Sequence, residues 1–209
     1  MASASRIPLG VKIGFTLFMA VLLPVYTRSY GLLNFLWFCD LAMLFTLAGI
    51  LMESPRLISG ASAGIILPQV LWLVDFAVEC TGHHFTGLTG YMFEPDRAFY
   101  LKLLSSFHGW LPFLLLYLLS RLGYDRRGWM IWTATAWAAC ILSWFLIPGP
   151  TTQPLAVKNV NMVYGPSETV EQTWAHPVVF LVGWMIALAG IIYWPTHLLL
   201  TRCFPSRHV

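Results

Sequence analysis

Residues 57–79 read LISGASAGIILPQVLWLVDFAVE, an apolar run from Leu57 to Glu79 with no basic residue and both of its acids, Asp75 and Glu79, near the far end. A helix needs about 20 mostly apolar residues to cross the hydrocarbon core of a bilayer, and this run supplies them. Working outward, five more stretches qualify: roughly 11–27, 31–52, 98–120, 129–147 and 177–200. The expectation is an all-α, polytopic membrane helical bundle, a single transmembrane domain over 1–209 with six transmembrane helices. The first run follows Arg6 and Lys12, as a signal peptide would. No small-residue cleavage site follows it and it ends in Pro24, Tyr26 and Arg28, so it is read as a retained helix.

Composition agrees. Of 209 residues, 58% are hydrophobic and 10% charged, with mean hydropathy +0.70, against about 25% charged in soluble domains. A chain this poor in charge has too little polar surface to cover itself in water. The net charge of +3 is small and its bases are scattered, which argues against a nucleic-acid partner. Cys39, Cys80, Cys140 and Cys203 lie far apart without a CxxC pair, so neither a zinc ribbon nor a disulfide framework is indicated.

With the N-terminus inside, the cytoplasmic segments hold Arg6, Lys12, Arg56, Arg121, Arg126, Arg127, Arg202 and Arg207, and the outer ones Arg28, Arg97, Lys102 and Lys158. Eight against four predicts both termini cytoplasmic. Tyr26, Tyr30, Tyr91, Tyr100, Trp129 and Trp174 fall near helix ends, as interfacial aromatics do. The inner turns are short. The two long loops, 80–97 and 148–176, are both outer, and long ordered loops often carry function. No P-loop, GxSxG, HExxH or strand-embedded GxGxxG is present, no lysine lies deep in a span, and no internal repeat suggests a transporter.

Ionisable residues inside a span are costly and mark candidate sites. Asp40 falls about ten residues into the second run, near mid-bilayer, and His108 at a similar depth in the fourth. Asp75 lies in the outer third of the third, one turn from Glu79. Asn34, Trp37 and Asp40 are spaced by three, Ser105 and His108 likewise, and Gln69 adds polarity to the third run. Pro68 and Pro112 are expected to kink helices three and four beside a cavity. Each residue also has a plainer reading. Asp40 can lock packing through Asn, Trp or Ser on a neighbour. Asp75 and Glu79 can be solvated, His83 and His84 can be loop residues, His176 before Pro177 can start a helix, and Cys39 can be a small buried hydrophobe.

The stretches Asn34-Phe35-Leu36-Trp37-Phe38-Cys39-Asp40-Leu41 and His108-Gly109-Trp110-Leu111-Pro112-Phe113, with Trp144 and Val163-Tyr164-Gly165-Pro166, resemble the six-helix family of androgen-induced membrane hydrolases (the FAR-17a and androgen-dependent TFPI-regulating type). More loosely, the chain resembles YwaF-type bacterial integral membrane proteins. The resemblance implies hydrolysis of lipid esters by an intramembrane Thr and His. The His carries over to His108. At the position of the Thr stands Trp37, so Cys39, Ser105, Ser106 or an activated water has to replace it.

Three functions follow as expectations. The first is a lipid-ester hydrolase or acyltransferase-like enzyme with an outward-opening His/Asp site. In it His108 is the base, Asp40 orients it, Cys39 or Ser105 attacks, and Asn34, Trp37, Gln69 and Asp75 meet substrate, with membrane lipid as the partner. The second is a metal or cofactor site of His83, His84, Glu79 and His176; no particular cofactor is indicated. The third is a non-catalytic subunit, self-associating or part of a larger membrane assembly, in which the polar groups hold helices together.

Overall fold

The computed structural model describes residues 6–150, 159–167 and 170–205. Lys158 and Arg207, both counted in the charge balance, lie outside the described residues. The elements are α1 (Leu9–Tyr30), a 3-10 turn (Leu32–Leu36), α2 (Phe38–Leu51), α3 (Pro55–Glu79), α4 (Phe99–Ser105), α5 (Phe107–Leu122), α6 (Gly128–Leu146), α7 (Pro177–Ala187), a π-helical turn (Leu188–Tyr193) and α8 (Trp194–Cys203). Short 3-10 turns at Gly90–Met92 and Val160–Met162 punctuate the long loops, and no strand occurs among the described residues.

Five helical stretches are long and apolar enough to cross a membrane: Leu9–Tyr30, Pro55–Glu79, Phe99–Leu122, Gly128–Leu146 and Pro177–Cys203. The chain is therefore a multi-pass membrane protein. The sixth expected span is shorter than its sequence run. α2 has 14 residues, roughly 21 Å of helix against a hydrocarbon core of about 30 Å. Gly31, at φ +82°, stops α1, and Trp37 in an extended conformation separates the 3-10 turn from α2. The apolar run of 31–52 thus holds two elements rather than one helix. Exposed Leu17, Val21, Phe113, Phe145, Val179 and Ile191 cover the outside, a surface suited to acyl chains and an aggregation hazard in water.

α3 is the centre of the bundle and packs against α2, α5, α6 and α8. Its first half presents Ser59, Gly60, Ala61, Ser62, Ala63 and Gly64, all buried. Small residues let helix backbones approach closely, which is how helices gain dispersion energy where lipid is as apolar as leucine. At Gly128 of α6 an added Cβ would lie 2.7 Å from the Gly60 nitrogen and 2.8 Å from the Arg56 carbonyl oxygen. At Gly64 it would lie 1.8 Å from two atoms of the Trp132 indole. Ile58, Ile65, Leu111, Leu115, Leu118 and Trp132 fill the core around this crossing.

The two ends of the bundle differ. At one end the turns are short and tied by charge: Lys12 Nζ to Glu53 Oε1 at 2.7 Å, and Arg56 Nε to Asp125 Oδ2 at 3.2 Å. At the other, here the loop end, the long segments fold back onto the helices. Asn161 donates through Nδ2 to the Leu36 carbonyl at 2.7 Å and accepts through Oδ1 from the Phe38 N–H at 3.0 Å. The Trp184 indole donates to the Asn161 carbonyl at 2.8 Å. A short helix starting below its neighbours leaves open N–H groups, and this loop covers one of them.

Candidate functional site

Beneath the loop end, α1, α2, α3 and the α4–α5 junction bring polar groups into the bundle. Asp40 is the third residue of α2, not a mid-helix residue. Asp40 lies at the start of its helix rather than about ten residues in because α2 begins only at Phe38, and a carboxylate in a first helical turn sits at the positive end of the helix dipole. Asn34 Nδ2 donates to Asp40 Oδ2 at 2.8 Å. Asp40 is 3% exposed, and its Oδ1 has no hydrogen-bond partner. No described cation pairs with it.

His108 owes its geometry to the break between α4 and α5. The Ser106 N–H is shared between the carbonyls of Lys102 (3.0 Å) and Leu103 (3.2 Å), and the Gly109 N–H bonds the Ser106 carbonyl at 2.9 Å in a tightened turn. That register gives the Gly109 N–H to Ser106 in place of the Ser105 carbonyl. The His108 ring takes up this carbonyl, with Nδ1 to Ser105 O at 2.8 Å. A carbonyl only accepts, so Nδ1 carries the proton and Nε2 the lone pair. Trp72 stacks on the ring at 5.2 Å and Phe107 at 4.1 Å. Phe76 continues the stack from Trp72, and Phe93 of the 80–97 loop follows it.

The expected Asp40–His108 pairing is not a direct one: Asp40 bonds Asn34, and the Ser105 carbonyl orients His108. Nor do Ser105 and His108 form a nucleophile–base pair. Ser105 Oγ bonds the Tyr26 hydroxyl at 2.8 Å, both buried. Ser106 Oγ donates to the Leu103 carbonyl at 2.6 Å. Cys39 is a free, half-buried thiol in the first turn of α2, and no described histidine hydrogen-bonds to it. Trp37 ends the 3-10 turn as the residue before α2. Gln69 is 1% exposed, and both its amide atoms are unpartnered. Tyr26 lies within electrostatic reach of Asp40, Cys39 and Tyr91, which puts one polar neighbourhood across α1, α2 and the 80–97 loop. In that loop burial pushes the Tyr91 phenol well above its ordinary pKa, so it stays neutral.

Asp75 is committed to the loop above it. Oδ1 accepts from the Thr86 N–H and hydroxyl, both at 2.6 Å, and from the Gly87 N–H at 3.2 Å. Oδ2 accepts from the Thr89 N–H at 2.8 Å and hydroxyl at 2.7 Å. A carboxylate offers about four lone-pair sites, so the loop uses all that a substrate would need. Asp75 is a loop anchor.

The four residues of the metal reading stand apart. His84 Nδ1 donates to Glu79 Oε1 at 2.8 Å, His83 Nδ1 meets Thr81 Oγ1 at 3.1 Å, and His176 precedes Pro177 as the N-cap of α7. Among the described residues no three His, Cys, Asp or Glu side chains converge as metal ligands would. The hydrogen bond that His84 donates to Glu79, with the carboxylate's charge, raises the His84 pKa above the ordinary histidine value. A raised folded-state value means the contact is strongest at low pH and fades as pH rises through it. Glu79→Gln therefore lowers the His84 titration midpoint read by NMR of the imidazole; an unchanged midpoint would mean the pair does not form.

Tyr26, Trp72, Tyr91 and Asn161 belong to this region and were not singled out from the sequence as site residues. Tyr26 and Tyr91 read there as interfacial aromatics, and nothing in the sequence sets Trp72 or Asn161 apart as a site residue. A groove of about 520 Å³ runs between α1 and the α4–α5 break, with Leu17, Phe18, Val21, Leu103, Ser106 and Trp110 on its walls. His108 is not among its lining residues. No family model, no curated protein and no solved structure matches this chain.

Proposed function

We propose that this chain is a membrane-embedded enzyme that hydrolyses lipid esters, with His108 as general base. His108 carries the reading. Its Nδ1–H is held by a backbone carbonyl, its ring is clamped between aromatics, and its Nε2 lone pair has no described protein partner. An oriented base with an open acceptor is half of a catalytic constellation. Because Ser105 is bonded to Tyr26, water is the nucleophile this arrangement favours. Its oxygen attacks the ester carbonyl while its proton passes to Nε2, and that proton then goes to the departing alkoxide. An alcohol in place of water makes the same step an acyl transfer. The resemblance around His108 supports the same chemistry. Six crossings with the loop end outside, as the arginines and lysines predict, open the site to the outer leaflet.

The test uses purified full-length protein in detergent and a panel of fluorogenic lipid esters. Removing a general base costs about 10²–10⁴ in rate, so His108→Gln loses turnover by that factor while its melting curve stays near wild type. Turnover undiminished in His108→Gln, or no ester cleaved by wild type, contradicts the proposal.

A further inference from the structure

We propose that the groove between α1 and the α4–α5 break binds one glycerophospholipid with a net-negative headgroup, the phosphate on Arg28 and an acyl chain running down to Trp110. This goes beyond the catalytic reading and does not rest on it: the groove binds lipid whether or not His108 turns anything over.

The helix period sets the alignment. Leu17, Val21, Pro24 and Arg28 recur at spacings of four, three and four, so they form one stripe along α1. Leu17 and Val21 are exposed groove walls, and Arg28 is the basic residue of the last turn. From Val21 to Arg28 is about 10 Å along the axis, so the cation stands at the loop-end mouth of an apolar channel. Across the groove, Leu103 of α4, Ser106 at the break and Trp110 of α5 form the facing wall. Trp110 closes the bottom, held edge-on by Phe15 at 6.1 Å and Phe18 at 5.1 Å. At about 520 Å³ the groove falls within the range of ~300–1,000 Å³ typical of ligand sites.

Charge selects the headgroup. The other cations at this corner are engaged: Arg97 with Glu94 at 3.1 Å and the Tyr30 hydroxyl at 2.8 Å, Lys102 with the Glu94 carbonyl. The Arg28 guanidinium is exposed and makes no ion pair or hydrogen bond with any other described residue. A planar fork of donors at the interface suits phosphate oxygens. In a glycerophospholipid the ester carbonyls follow directly below the phosphate, and here they would lie beside the polar break at Ser106, with the chain against Leu103, Val21 and Leu17.

Native mass spectrometry of the full-length protein, loaded with equal amounts of phosphatidylglycerol and phosphatidylcholine, tests this. One interfacial arginine favours the anionic lipid about fivefold. Arg28→Gln brings the ratio near one, and Val21→Trp, which fills the groove from an exposed position, removes bound lipid of either kind. His108→Gln keeps the wild-type ratio, so binding is judged separately from turnover. Equal retention by wild type, an unchanged ratio in Arg28→Gln, or lipid still held by Val21→Trp overturns the proposal. So does displacement of phosphatidylglycerol by millimolar inorganic phosphate, which would make Arg28 a free-anion site.

Discussion

Asp75→Ala releases the 80–97 loop from α3 and lowers stability by on the order of 4 kcal/mol, because buried donors left without an acceptor cost about 1–3 kcal/mol each. The Thr89 N–H and hydroxyl, both buried, lose their acceptor, while the donors of Thr86 and Gly87 are exposed and turn to water. The loss is local before it is global: Phe85, Tyr91 and Phe93 lie on the released segment, so chymotrypsin cuts there in the variant under conditions that leave wild type whole. Asp75→Asn keeps the shape but turns one acceptor into a donor facing other donors, and falls between the two. A wild-type melting curve and cleavage pattern for Asp75→Ala would mean the loop is held by something else.

Gly64→Val lowers stability by about 3 kcal/mol, the upper part of the usual overpacking range. Even the first added carbon would sit 1.8 Å from Trp132 Cε2 and Nε1. The indole cannot swing aside cheaply: Trp132 is fully buried, with Phe45 edge-on at 5.5 Å and Tyr193 at 6.4 Å. Trp132→Leu in the same chain restores part of the loss, since the two positions share one volume and their effects do not add. Thermal unfolding in detergent reads both. Equal losses in the single and double variants would place the cost of Gly64→Val in the backbone rather than against Trp132.

Long apolar runs were legible because a bilayer demands length and composition more than detail. The expected helix at 57–79 is α3, Pro55–Glu79, and the one at 129–147 is α6, Gly128–Leu146. Where hydropathy stayed high but backbone conformation changed, the run misled. Within 31–52 the polar residues Asn34 and Asp40 flank the turn at Trp37 without revealing it, and only Gly31 hints that α1 ends there. Within 98–120 the break at Ser106 is hidden in apolar sequence, although Ser105-Ser106 ahead of His108 is its chemical trace.

The candidate site was half legible for the same reason. Asp40 and His108 stood out because charge in a span is costly, and both are inward-facing at the loop end. Their partners were not readable. The Ser105 carbonyl that orients His108 is backbone, freed by local geometry, and Asn161, which caps α2, is 123 residues away from Phe38. Asp75 drew attention by its charge, and only the fold reveals that a loop eleven residues on consumes that charge.

Whether α2, at 14 residues, crosses the bilayer decides on which side each loop and the mouth of the site lie. Cys80 and Cys203 are exposed at opposite ends, Cys39 and Cys140 are not, and Leu32 and Met52 are exposed at the two ends of the α2 segment. Single-cysteine chains carrying Cys80, Cys203, Leu32→Cys or Met52→Cys are labelled in intact cells with a membrane-impermeant maleimide. Six crossings with the loop end outside predict that Leu32→Cys and Cys80 label directly, while Met52→Cys and Cys203 label only after permeabilisation. Labelling of Leu32→Cys and Met52→Cys from the same side would contradict it.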